Sequence, residues 1–214
     1  MLFLSPNSPL GRWLAFLLDA FFISILWALF SLPIVTIGAS TAALNRVAHN
    51  WMKDRSECSV KHFLLAFKEN LKGGTLVWLI LMVPLAVILF NVYATFIALV
   101  ETSAAAKWMI VISAALWMAV AIYALSLQAI FENKPLRTVL NALRIAASHL
   151  GTTVILVALF ALAVVAAVLL PYGAFAYTPF CAFLAARPIW RVFKKVIAMP
   201  EVTVTTNENT QEGE

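Results

Sequence analysis

Apolar residues run in long blocks along this chain, and short polar or small-residue segments punctuate them. The blocks cover residues 13–35, 75–99, 108–130, 152–170 and 174–190. Each approaches the ~20 residues that a helix needs to cross ~30 Å of hydrocarbon. After the first block the chain is only moderately apolar over residues 33–51, where Asn45, Arg46, His49 and Asn50 lower the hydropathy. Thr41, Asn45 and His49 recur there at four-residue spacing, so they share one helical face. Gly38/Ala42 and Ala39/Ala43 are small-xxx-small pairs, the composition of a helix packed among others in lipid. The pattern predicts a second membrane helix over residues 33–51. It is entered by a tight turn at residues 31–33, with Ser31 as a candidate cap and Pro33 in the first turn.

Two further segments are amphipathic. Over residues 60–72, Val60, Phe63, Leu64, Phe67 and Leu71 lie to one side and Lys61, Lys68 and Lys72 to the other. Pro135 opens the second, whose apolar stripe is Leu136, Val139, Leu140, Leu143, Ala147 and Leu150. Arg137, Asn141, Arg144 and Ser148 form its polar stripe, and Gly151 is the predicted stop. Basic amphipathic helices beside membrane spans lie along headgroups. Gly73-Gly74 then permits a sharp change of direction into the following span. Phe63-Leu-Leu-Ala-Phe-Lys68 aligns without gaps on Val139-Leu-Asn-Ala-Leu-Arg144, each leading into glycine, threonine and a long apolar run. The implied unit is an interfacial helix feeding a membrane hairpin. The expected fold is all-α: a polytopic membrane protein with six transmembrane helices as three hairpins, plus two interfacial helices. It has five spans if residues 33–51 do not cross.

Composition agrees with that class. Of the 214 residues, 63% are hydrophobic and 12% charged, far from the balance of soluble domains. Residues 1–199 read as one membrane domain, with residues 1–10 as a broken lead-in holding Pro6 and Pro9. Residues 200–214 read as a disordered acidic tail carrying Glu201, Glu208, Glu212 and Glu214. The first apolar block is too long for the core of a signal peptide and reads as a retained helix. In the six-span arrangement 14 of the 15 lysines and arginines fall on one side and only Lys107 on the other. That bias puts both termini in the cytoplasm. The basic excess is directed at anionic lipid rather than nucleic acid. Trp51, Trp78, Trp108 and Trp190 fall near expected interfaces, while Trp27 and Trp117 do not and read as packing or lipid-facing residues. Cys58 and Cys181 are read as free thiols.

The stretch Ser31-Leu-Pro-Ile-Val-Thr-Ile-Gly-Ala-Ser-Thr-Ala-Ala-Leu44 carries a resemblance, together with Ala66-Phe-Lys-Glu-Asn70, Phe131-Glu-Asn133 and Asn141-Ala142. With these motifs the chain resembles the YesL-like family of bacterial membrane proteins over nearly its whole length, the acidic tail excepted. The resemblance implies a bacterial inner-membrane protein of unknown activity, often encoded near carbohydrate-uptake and carbohydrate-degradation systems. It supplies no site residues.

Candidate chemistry is sparse. Asp19 lies six residues into the first span, where a charge needs a partner. Arg12, Arg46 or Arg191 could supply one, and structural pairing competes with a transport or proton role. The Thr41/Asn45/His49 face would line a polar path or hold helices together, the latter worth ~0.6 kcal/mol per hydrogen bond. The helix start around Thr36–Gly38 would offer free N–H groups to an anion, or simply pack. Glu132 and Asn133 read as a loop anchor. Cys58, His62 and His49 lack paired metal-ligand spacing, so neither a metal nor a cofactor is expected. No His-Glu-x-x-His, Gly-Lys phosphate loop or Gly-x-Ser-x-Gly elbow occurs, and no enzyme is expected. Two functions remain. One is an accessory protein of carbohydrate uptake that contacts a permease or a second copy of itself. The other is a small permease or channel using Asp19 and the Thr41/Asn45/His49 face.

Overall fold

The computed structural model describes residues 9–53, 60–97, 103–131, 134–169 and 174–197. Seven α-helices and no strand occur among them: α1 (Pro9–Ser31), α2 (Ile37–Lys53), α3 (Val60–Val92), α4 (Ala104–Ile130), α5 (Pro135–Ser148), α6 (Leu150–Leu169) and α7 (Ala174–Ile197). A short 3-10 turn, Ile34–Thr36, precedes α2, and a π-turn, Tyr93–Ile97, closes α3. Most of the expected lead-in, Arg12's side chain, Cys58, Glu132-Asn133 and the acidic tail lie outside what is described.

The expected tight turn exists. Leu32 and Pro33 separate α1 from the 3-10 turn, but Ser31 does not cap α2. Its hydroxyl meets Ser40 Oγ at 2.6 Å instead. Ser103 is the N-cap of α4, its side chain accepting from the Ala106 N–H. Pro135 starts α5 where its missing N–H costs nothing.

Two breaks differ from the sequence expectation. Gly73-Gly74 does not redirect the chain: the interfacial segment and the following span form one 33-residue helix, α3. The reason is packing. Gly74 is buried against α2, where an added Cβ would sit 2.8 Å from Ala39 Cα. A Cβ on Gly38 would overlap the Gly74 carbonyl and Trp78 Cβ. The glycines here permit close approach of two helices rather than a turn. The second amphipathic helix does stop, but at His149 and not at Gly151, which lies inside α6. The α5–α6 bend is 107°. Thr153 Oγ1 spans it by donating to the carbonyls of Ala146 and His149, each at 3.0 Å.

α2 is central, packing against α3, α4, α7 and α1. Its Ala39, Ala42, Ala43, Leu44, Val47 and Ala48 are buried. With Ile23, Phe63, Ala182 and Ala186 several of them form one apolar core. A second core gathers α3–α7 around Tyr123, Ile145, Leu156 and Phe193.

Among the described residues, two helices are long and apolar enough to cross a membrane, Val60–Thr95 and Ala104–Ile130. A third crossing follows if the bent pair α5–α6 counts as one span. Six crossings exceed what length and composition support among the described residues. The polar residues of α2 and the arginines, lysines and prolines of α7 account for part of the shortfall. In α1, the apolar helix described is only Leu18–Ser31.

Candidate functional site

The four-residue spacing on α2 does place Thr41, Asn45 and His49 on one side of that helix, toward neighbouring helices. Thr41 Oγ1 accepts from Trp27 Nε1 of α1 at 3.2 Å. Asn45 Nδ2 donates to Ser126 Oγ of α4 at 3.3 Å, and the Ser126 hydroxyl donates in turn to the Ile122 carbonyl at 2.7 Å. His49 is 6% exposed, and its ring meets the Trp190 indole edge-on at 4.4 Å between centroids. The face thus ties α2 to α1, α4 and α7 in turn, one contact per helical turn.

Beside this face lies a cavity of about 360 Å³, within the range of small-molecule sites. Thr41, Asn45 and Ser126 give it a polar edge. Trp27, Trp78, Trp117, Met118, Phe160 and Cys181 supply much of the rest. The three indole N–H groups are already bonded: Trp27 to Thr41 at the cavity edge, Trp78 to the Ile34 carbonyl at 2.9 Å, and Trp117 to the Leu81 carbonyl at 2.8 Å. The rings therefore present hydrocarbon and π-faces to the cavity. None of its described lining residues is charged. A much smaller cavity, about 10 Å³, lies between Asn45, His49 and Ser126 on one side and Ala182, Ala186 and Ile189 on the other.

Residues 20–92 match a family model. The family is described as a protein of unknown function, DUF624. The match covers about a third of the chain, from within α1 to the end of α3. It includes the α1–α2 turn and the Gly38–Gly74 contact. No curated protein and no solved structure matches the chain.

The remaining predicted residues are scattered. Asp19 is partly buried on α1 and does not line either cavity. Arg46, one expected partner, pairs with Glu69 of α3 at 2.6 Å instead, and Arg191 is exposed. The Thr36 hydroxyl is spent on the carbonyls of Phe30 and Pro33, at 2.7 and 2.9 Å, and so serves the turn. Gly38 is a packing contact. Lys61, Lys68, Lys72, Arg137 and Arg144 are all exposed, as a basic outer face requires. No cluster of three metal-ligating side chains occurs among the described residues.

Sequence reasoning misplaced Trp78 and did not foresee the cavity that three indoles line. Trp78 is not an interfacial belt residue but is buried against the α1–α2 turn. Trp27 and Trp117 both line the cavity. Their signal was present: a tryptophan midway along an apolar run needs a partner for its N–H. Tyr123 and Thr153, joined at 3.2 Å, and Gln128, reached by the Thr138 hydroxyl at 3.4 Å, are further buried polar pairs that periodicity did not reveal.

Proposed function

We propose that this chain is a multi-pass protein of a bacterial inner membrane that acts without catalysis, as an accessory or regulatory component of carbohydrate uptake. The location and the link to sugars rest on the resemblance to the YesL-like family, with which the matched family of unknown function is compatible. One observation favours an accessory role over a permease. The cavity in the bundle is lined by aromatic and aliphatic side chains, and Thr41, Asn45 and Ser126 at its edge bond to the bundle itself. A sugar path needs many free hydrogen-bonding groups, since a buried hydroxyl left unpaired costs ~1–3 kcal/mol. Asp19, the acid a proton-coupled carrier would use, lies off that cavity.

The exposed lysines and arginines of α3 and α5 form the docking face in this reading, toward anionic headgroups and a cytoplasmic partner surface. The partner is a transporter subunit or a second copy of the chain. An even number of crossings, six if α1 and α2 each cross and four if they enter and leave together, puts both termini on one side, and the basic bias makes that side the cytoplasm.

The test uses a photoreactive residue at Lys68 or Arg144 in native membranes. The expected adduct contains a carbohydrate-transporter subunit; adducts with only lipid or unrelated proteins would refute the accessory role. In parallel, the purified chain in proteoliposomes should move no sugar. Flux abolished by Asp19→Asn would establish the permease reading instead.

A further inference from the structure

The α1–α2 turn does not sit where a crossing hairpin would put it. Trp78 Nε1 bonds the Ile34 carbonyl, and Gly38 packs on Gly74. The turn is therefore level with the middle of α3, since Trp78 is near the midpoint of Val60–Val92. From Trp78 to Val92, α3 continues for about 21 Å. That remaining length is apolar, with Val83, Val87, Leu89 and Phe90 exposed. If the turn lay at the outer membrane face, this stretch would stand in water.

The turn itself has the surface and the wiring of a segment in hydrocarbon. Leu32, Ile34 and Val35 are 74%, 65% and 50% exposed, an unusual set for a water-facing loop. Their apolar surface continues onto α1 through Leu29, Ile25, Phe22, Phe21 and Leu18, all exposed. Four carbonyls at and beside the turn, those of Leu29, Phe30, Pro33 and Ile34, find partners inside the protein. Leu29 accepts from the Leu32 N–H at 3.3 Å, and Phe30 from the Thr36 hydroxyl. Pro33 accepts from the Thr36 N–H at 2.9 Å and from its hydroxyl. Ile34 accepts from the Trp78 indole. Pro33 has no N–H to satisfy. Irregular backbone survives at membrane depth only when its polar groups are met by protein in this way.

We propose that α1 and α2 form a re-entrant hairpin: both helices enter from the cytoplasmic side and the tip, Leu32 to Val35, ends among the acyl chains of the bilayer. The crossings are then α3, α4 and α6, with α7, whose apolar part is broken by arginines and prolines, as the fourth. This keeps the 14-to-1 division of basic residues and cytoplasmic termini while needing no passage of the polar α2 across the membrane. The inference rests on the membrane reading above and is independent of the link to sugars.

Single cysteines at Leu32 and Val35 test it, in full-length protein carrying Cys58→Ser and Cys181→Ser, with Lys68→Cys and Lys107→Cys as markers of the two sides. The reagent is a charged, membrane-impermeant thiol label applied to right-side-out and inverted vesicles. The expected result is no labelling at Leu32→Cys or Val35→Cys from either side, with labelling recovered once the membranes are dissolved in denaturing detergent. Both tip positions are exposed, so the substitutions disturb no packing. Labelling from the Lys107 side would show a crossing hairpin and overturn the proposal. Labelling from the Lys68 side would show a hairpin in water and overturn it equally. Markers labelled equally from both sides would overturn the membrane reading itself.

Discussion

The segments over residues 60–92 and 135–169 look alike in sequence and fold differently. Each begins with a basic amphipathic helix and passes through glycine and threonine into an apolar run. In α3 the two parts are one helix, whereas α5 and α6 meet at 107°. The glycine content does not decide this. Gly74 is pressed against Gly38 and Ala39, so α2 acts as a splint alongside it. Among the described residues, nothing lies within 4 Å of a Cβ added at Gly151. The stop falls instead at His149, whose backbone leaves the helical region. Thr153 bonds back across it. A local signal for a turn is permissive, and the neighbouring helix settles whether the turn is used.

Substitutions separate the two cases by size of effect. Gly74→Val drives a side chain into the Ala39 backbone, and about 3 kcal/mol of stability should be lost. A large drop in thermal midpoint in detergent would register it, and an unchanged midpoint would remove the splint from the explanation. Thr153→Val takes away the bonds to Ala146, His149 and Tyr123. It should cost about 1–2 kcal/mol and widen the distribution of spin-label distances across the α5–α6 bend, leaving α3 untouched. Gly151→Ala meets open space inside a helix and should stabilise by about 0.4–1 kcal/mol, the opposite sign to Gly74→Val. The exposed Arg46–Glu69 pair should show a coupling below about 1 kcal/mol in a double-mutant cycle. A larger value would mean that the α2–α3 junction depends on charge rather than on glycine packing.

The helices were legible because their apolar blocks are long and Pro33 and Pro135 stand where the α1–α2 turn and α5 begin, although Pro84 lies inside α3. The α2 face was readable in part: the four-residue spacing put Thr41, Asn45 and His49 on one side of a helix, but not that they would meet three different helices. What could not be read was depth and adjacency. Nothing local says that Gly38 meets Gly74, that Trp78 holds the α1–α2 turn, or that Arg46 prefers Glu69 to Asp19. Those pairings depend on how far α2 slides along α3, and apolar periodicity leaves that register free. The cavity was invisible for the same reason, since six helices contribute its wall. Asp19 was singled out by charge alone, and charge alone did not bring it to the site.

The continuity of α3 underlies both the splint and the depth of the hairpin tip. Spin labels at the exposed positions Leu65 and Val87 measure it by double electron–electron resonance. An unbroken helix predicts a single separation of about 33 Å between the two backbone positions. A population roughly 10 Å shorter, as a bend at Gly73-Gly74 like that at His149 would give, would contradict the account.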